Sequence, residues 1–141
     1  MAKQAPVIII ENDDDDRQIF QEVFTELGFK NQLVFFNKAI ETLSYLEKTK
    51  EKAFLIFSNI NLPGMSGIEL KKAINDNVAL QKKAIPFIFY TTAADKRVIE
   101  KAYIETTVQG YFVKENSVAK IKSTIKIIFD YWCLCKHPNS I

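Results

Sequence analysis

The sequence predicts an α/β fold: a doubly wound, three-layer sandwich in which a five-stranded parallel sheet carries five helices. Three observations lead there. Short apolar runs alternate with longer segments whose apolar residues recur every three or four positions. The runs are apolar throughout rather than alternating, as in strands buried on both faces, and such strands build parallel sheets. One helical segment separates each run from the next, as right-handed crossovers require.

Each element follows from its residues. Val7 to Ile10 is a β-branched run and makes the first strand. Ile19, Phe20, Val23, Phe24 and Leu27 then recur at helical spacing, and Gly28 closes that helix. Gln32 to Phe36 is the second strand, and Ala39, Ile40, Leu43 and Leu46 mark the second helix. Phe54 to Phe57 is the third strand, running into Ser58 and Asn59 and a Pro-Gly turn. Ile68 to about Asn75 is the third helix, frayed by Asn75-Asp76-Asn77. Pro86 to Thr91 is the fourth strand, with proline at its first residue, where a missing donor is tolerated. Val98, Ile99, Ala102 and Tyr103 mark the fourth helix, and Gly110 to Val113 is the fifth strand. Val118, Ile121, Ile125, Ile128 and Trp132 step along one face of the fifth helix.

The 141 residues suit a single domain, residues 1–141, with a core over about 7–132 and a short tail over 136–141. No apolar run approaches the roughly 18 residues of a membrane span, and the polar start is not a signal peptide. The expected location is the cytoplasm, with no membrane and no nucleic-acid partner. Cys133, Cys135 and His137 form a Cys-x-Cys-x-His cluster, but His137 is the only histidine and no second ligand pair exists. Reduced thiols are the expectation there.

The residues that follow the strands carry the chemistry. Glu11, Asn12 and Asp13 follow the first strand, Asn59 and Asn61 the third, Thr91 and Thr92 the fourth, and Lys114 the fifth. In a parallel sheet these all meet on one edge, where open α/β sheets place their sites. Carboxylates, a hydroxyl and an ammonium together suit a hard cation and a phosphoryl group. The run Asp13 to Asp16 also suits a helix N-cap, with negative charge at the positive end of the helix. Lys114 is expected to pair with Glu11 or Asp13.

Here the chain resembles the receiver domain of two-component response regulators, of the single-domain, CheY-like type, over about Val7 to Trp132. The segment Asn59-Ile-Asn-Leu-Pro-Gly-Met-Ser-Gly67 is similar to the family's phosphorylation loop, Asp-x-x-Leu-Pro-x-x-x-Gly. The resemblance implies a flavodoxin-like sheet in the order 2-1-3-4-5. It puts Asn59 at the phosphoacceptor position, Thr91 and Tyr111 at the switch positions, and Lys114 at the phosphate contact. It makes Glu11, Asn12, Asp13, Asn59 and the backbone of Asn61 a weakened Mg2+ site. A kinase or downstream signalling partner would dock on the face of the fourth helix, fifth strand and fifth helix, with the chain a monomer or a homodimer. Tyr131 and Trp132 could extend such a surface.

The departures set the functional expectation. Receivers place Asp at the Asn59 position and usually at the Asn12 position, and here both are amides. Glu115 stands where the family usually has Pro, and Glu105-Thr-Thr-Val108 replaces its usual Leu-Gly-Ala. An acyl phosphate needs a carboxylate oxygen as nucleophile. Asn59 has none, so phosphorylation there is expected to be absent, no cofactor is required, Mg2+ binding is weak, and the chain is not an enzyme. It would act by protein contact in a phosphorelay, with no output domain. A haloacid-dehalogenase-type phosphatase is the alternative, but it wants Asp-x-Asp where Glu11-Asn12-Asp13 stands, and a cap domain that does not fit the length. A flavodoxin-like cofactor binder would need a Ser/Thr-rich phosphate loop after the first strand, and none is present.

Overall fold

β-Branched and aromatic runs form five strands: β1 (Val7–Ile10), β2 (Leu33–Phe36), β3 (Leu55–Ser58), β4 (Phe87–Thr91) and β5 (Gly110–Val113). Between and after them lie α1 (Asp14–Leu27), α2 (Ala39–Lys48), α3 (Gly67–Asp76), α4 (Val78–Gln81), α5 (Lys96–Thr106) and α6 (Val118–Leu134). The computed structural model describes residues 4–139. All neighbouring strands pair in parallel, in the order β2-β1-β3-β4-β5. The fold class and strand order are those the sequence predicts.

Alternate strand residues feed two cores, as the period of a strand requires. Ile8, Ile10, Ile56, Phe87 and Phe89 face α2, α3, α4 and α5. Val7, Ile9, Leu55, Phe57, Ile88 and Tyr90 face α1 and α6, where Phe20, Phe24 and Phe129 fill the layer. The central strands β1, β3 and β4 are buried throughout, while the edge strands β2 and β5 are largely half-buried.

Two features differ from the sequence reading. Six helices form among the described residues, not five. The extra one, α4, exists because Asn77 is a junction rather than a frayed end. Its N–H closes α3 on the Ile74 carbonyl (3.2 Å), and its side chain accepts from Leu80 N–H (3.1 Å) to open α4. The helices read as fourth and fifth in the sequence are therefore α5 and α6. Second, the expected tail from 136 is docked as far as it is described, and the packed core reaches past Trp132. His137 is buried against Phe54, rings stacked at 5.0 Å, with its Nε2 2.7 Å from the Phe54 carbonyl. Asn139 donates from its amide nitrogen to the Lys83 carbonyl (2.7 Å). Residues 140–141 lie outside the described residues. No disulfide joins Cys133 and Cys135, and no described group of three or more His, Cys, Asp or Glu residues could hold a metal ion.

Candidate functional site

Sheet hydrogen bonds carry the site residues just past the strand ends and hold them there. Glu11 N–H donates to the Phe36 carbonyl (2.9 Å), Asn59 N–H to Ile10 (3.0 Å) and Lys114 N–H to Thr91 (2.8 Å). Each bond continues the ladder by one residue, so the side chains arrive on one edge with little freedom. The loop after Asn59 is fixed by Gly67, whose N–H donates to the Ile60 carbonyl (2.9 Å). A Cβ on Gly67 would sit 2.2 Å from the Asn59 carbonyl oxygen, so only glycine lets α3 start this close to the site. Ser66 and Glu69 then cap α3 reciprocally.

Glu11 is the hub. It is 2% exposed, and Lys114 donates to its Oε1 while Asp13 N–H (3.1 Å) and Asn59 Nδ2 (3.2 Å) donate to its Oε2. Lys114 also pairs with Asp16 at 2.8 Å. The partners of Lys114 are thus Glu11 and Asp16, and not the Asp13 that the sequence offered as an alternative. Asp13 is otherwise engaged: its Oδ1 accepts from Asp15 N–H (2.9 Å) and Asp16 N–H (3.1 Å) as the cap of α1. That cap turns Asp16, one helical turn on, toward the strand edge. The sequence hint for Asp16 was its i+3 spacing from the cap.

Asn59 is committed on both sides of its amide. Its Oδ1 accepts from Ile60 N–H (2.8 Å) and from the Thr91 hydroxyl (2.6 Å), while its nitrogen donates to Glu11. Thr91 is fully buried, and its oxygen in turn accepts from Ala93 N–H (3.2 Å). The Tyr111 hydroxyl donates to the Ala93 carbonyl (2.6 Å). A continuous polar chain therefore runs from Glu11 through Asn59, Thr91 and Ala93 to Tyr111. Burial, with Asp95 and Tyr103 nearby, pushes the Tyr111 hydroxyl above its ordinary pKa, so it stays a donor. The Ala93 link was not visible in the sequence, because a backbone carbonyl has no residue signature.

Asn12 and Asn61 stand exposed at the rim. As arranged, the donor set offers a hard divalent cation few charged oxygens. Such a cation draws on uncommitted carboxylate oxygens. Here the buried carboxylate of Glu11 is neutralised by Lys114, Asn59 turns N–H groups rather than an oxygen toward Glu11, and Asp13, whose Oδ1 caps α1, keeps only its Oδ2 uncommitted.

This sheet order, with an acidic hub, a lysine and a buried hydroxyl meeting beyond the strand ends, defines a phosphoryl-receiver scaffold. The response regulator receiver domain model matches residues 7–126. The chain belongs to that family and is a CheY-like receiver of two-component signalling. It is 30% identical over 130 residues to chemotaxis protein CheY-3 of Vibrio cholerae, covering 91% of this chain and 94% of that one. A probable chemotaxis protein CheY of Rhizobium etli is 25% identical, covering 92% and 95%. Among solved structures, the phosphorylated cyanobacterial phytochrome response regulator RcpA superposes with a TM-score of 0.84 at 20% identity, covering 96% and 99%, a likeness of fold.

Proposed function

We propose that this chain is a receiver that signals without aspartyl phosphorylation, acting by protein contact in a two-component pathway of the cytoplasm. The observation that carries the reading is the state of Asn59. In phosphoryl transfer to a receiver, a carboxylate oxygen attacks phosphorus and the donor's leaving group departs. The Asn59 nitrogen lone pair is delocalised into its carbonyl, its oxygen is uncharged, and that oxygen already accepts two hydrogen bonds. No nucleophile is left at the position.

Three residues take over what a phosphoryl group and a cation would otherwise organise. Lys114 neutralises Glu11 and ties β5 to β1 and α1 through Asp16. Asn59 supplies the acceptor that draws the Thr91 hydroxyl inward. Thr91 passes that position through Ala93 to Tyr111. The edge is thereby held in one state by its own side chains, with no cation required. Output would leave through the α5–β5–α6 face, where Tyr103, Ile104 and Val113 are exposed apolar residues. A kinase or a downstream signalling protein with a matching apolar patch is the partner this face suits.

Incubation with acetyl phosphate and Mg2+ followed by intact-mass measurement tests the reading. The expected result is an unchanged mass. A stoichiometric, base-labile adduct of one phosphoryl group would overturn it.

A further inference from the structure

The opposite edge of the sheet, at the amino ends of the strands, holds a cavity of about 240 Å³ that shares no residue with the Glu11–Lys114 cluster. α3 brings Lys71 to its wall, α4 brings Leu80, and β4 begins there with Phe87. Lys71 is 7% exposed as a residue, but its ammonium still reaches solvent and has no ion pair or hydrogen bond among the described residues; it lies 5.5 Å over the Phe87 ring. An ammonium that is largely withdrawn from water but not committed to a partner is open to an anion. A ring face offsets only part of the lost hydration, and burial lowers the pKa of Lys71 accordingly.

The rest of the wall says what would complete it. Lys83 is the second cation there, and no carboxylate lines the cavity. The Lys83 ammonium is already spent on the carbonyls of Leu46 (2.5 Å) and Thr49 (2.9 Å), so it adds positive potential without needing a ligand. Leu46, Ile74, Leu80 and Phe87 make much of the remainder apolar. Ala84 and Thr107, also in the wall, both hold φ at 50° where α4 and α5 end, Thr107 as the left-handed C-cap of α5. The volume falls just short of the roughly 300–1,000 Å³ of drug-sized ligand pockets, so a small ligand fits.

We propose that this cavity binds a small organic monocarboxylate, its carboxylate on the Lys71 ammonium and its apolar body against Leu80 and Phe87. One uncommitted ammonium in a half-apolar wall matches a single negative charge. It does not replace the hydration of a phosphate dianion, which takes several donors. Because Trp132 and Pro138 also line the cavity, an occupant would join α3 and β4 to the docked C-terminal segment.

Titration of the 15N-labelled full chain with sodium benzoate, with neutral benzamide of the same shape, and with inorganic phosphate tests this. Benzoate is expected to give saturable shifts at the amides of Lys71 and Phe87, with benzamide and phosphate at least tenfold weaker. The Lys71→Met variant is expected to lose at least tenfold in benzoate affinity. Should that variant fail to fold, the benzoate and benzamide comparison on the unaltered chain decides alone. Absence of saturable benzoate shifts, equal binding of benzamide or phosphate, or unchanged benzoate affinity in a folded Lys71→Met would overturn the proposal.

Discussion

Glu11 and Lys114 are the residues on which the site turns, because their side chains are only 3% and 8% exposed. Removing one member of a buried pair strands the other charge, a loss of about 3–5 kcal/mol. Lys114→Met should therefore lower stability in urea unfolding by about 3 kcal/mol, since Glu11 keeps two N–H donors. The pair Lys122–Glu26 is the control: its side chains are 34% and 60% exposed, so Lys122→Met should cost under about 1 kcal/mol. Equal losses would contradict the assignment of Glu11 as a buried hub. Asn59→Asp replaces an N–H donor 3.2 Å from Glu11 with a second negative charge. Without divalent cations that variant should be about 1–3 kcal/mol less stable at neutral pH. Added Mg2+ should raise its unfolding temperature more than that of the unaltered chain, because two carboxylates then face one another. The amide at 59 was plain in the sequence. Its bonding was not, because Thr91 and Glu11 lie 32 and 48 residues away along the chain.

At the level of elements, strands and long helices were legible because burial on two faces or on one stripe leaves a periodic trace. The short α4 left none: four residues hold barely one turn, and its cue, Asn77, also serves the end of α3. Before the fifth strand stands Glu105-Thr-Thr-Val108. Thr107 takes the left-handed backbone there, and Glu115, in the usual proline position, accepts from the Thr124 hydroxyl (3.2 Å). Gly67 shows the reverse case, a motif residue whose reason becomes visible only in three dimensions. Gly67→Ala forces a methyl into the Asn59 carbonyl, with backbone rather than a flexible side chain in the way. A loss of about 1–3 kcal/mol or more is expected in thermal unfolding. A neutral result would mean that α3 is not tied to the site as described.

Across the whole molecule, the two edges of the sheet do different things. The carboxyl edge is closed by ion pairs and amide bonds, while the amino edge keeps a cavity that the segment carrying His137 flanks. The sequence left that segment as a tail because the partners of His137 and Asn139, Phe54 and Lys83, are distant in the chain. His137→Ala would remove a buried ring stack and a buried hydrogen bond, with an expected loss of about 2–3 kcal/mol in urea unfolding. No described helix is long and apolar enough to cross a membrane. The carboxyl edge is expected to keep one state whether or not a phosphoryl group is on offer. The most direct test is the amide spectrum of the 15N-labelled chain before and after addition of Mg2+ and beryllofluoride, a phosphoryl mimic that caps a carboxylate oxygen. The signals of Thr91, Tyr111 and Lys114 are expected to stay in place. Saturable shifts at those three residues would contradict the account.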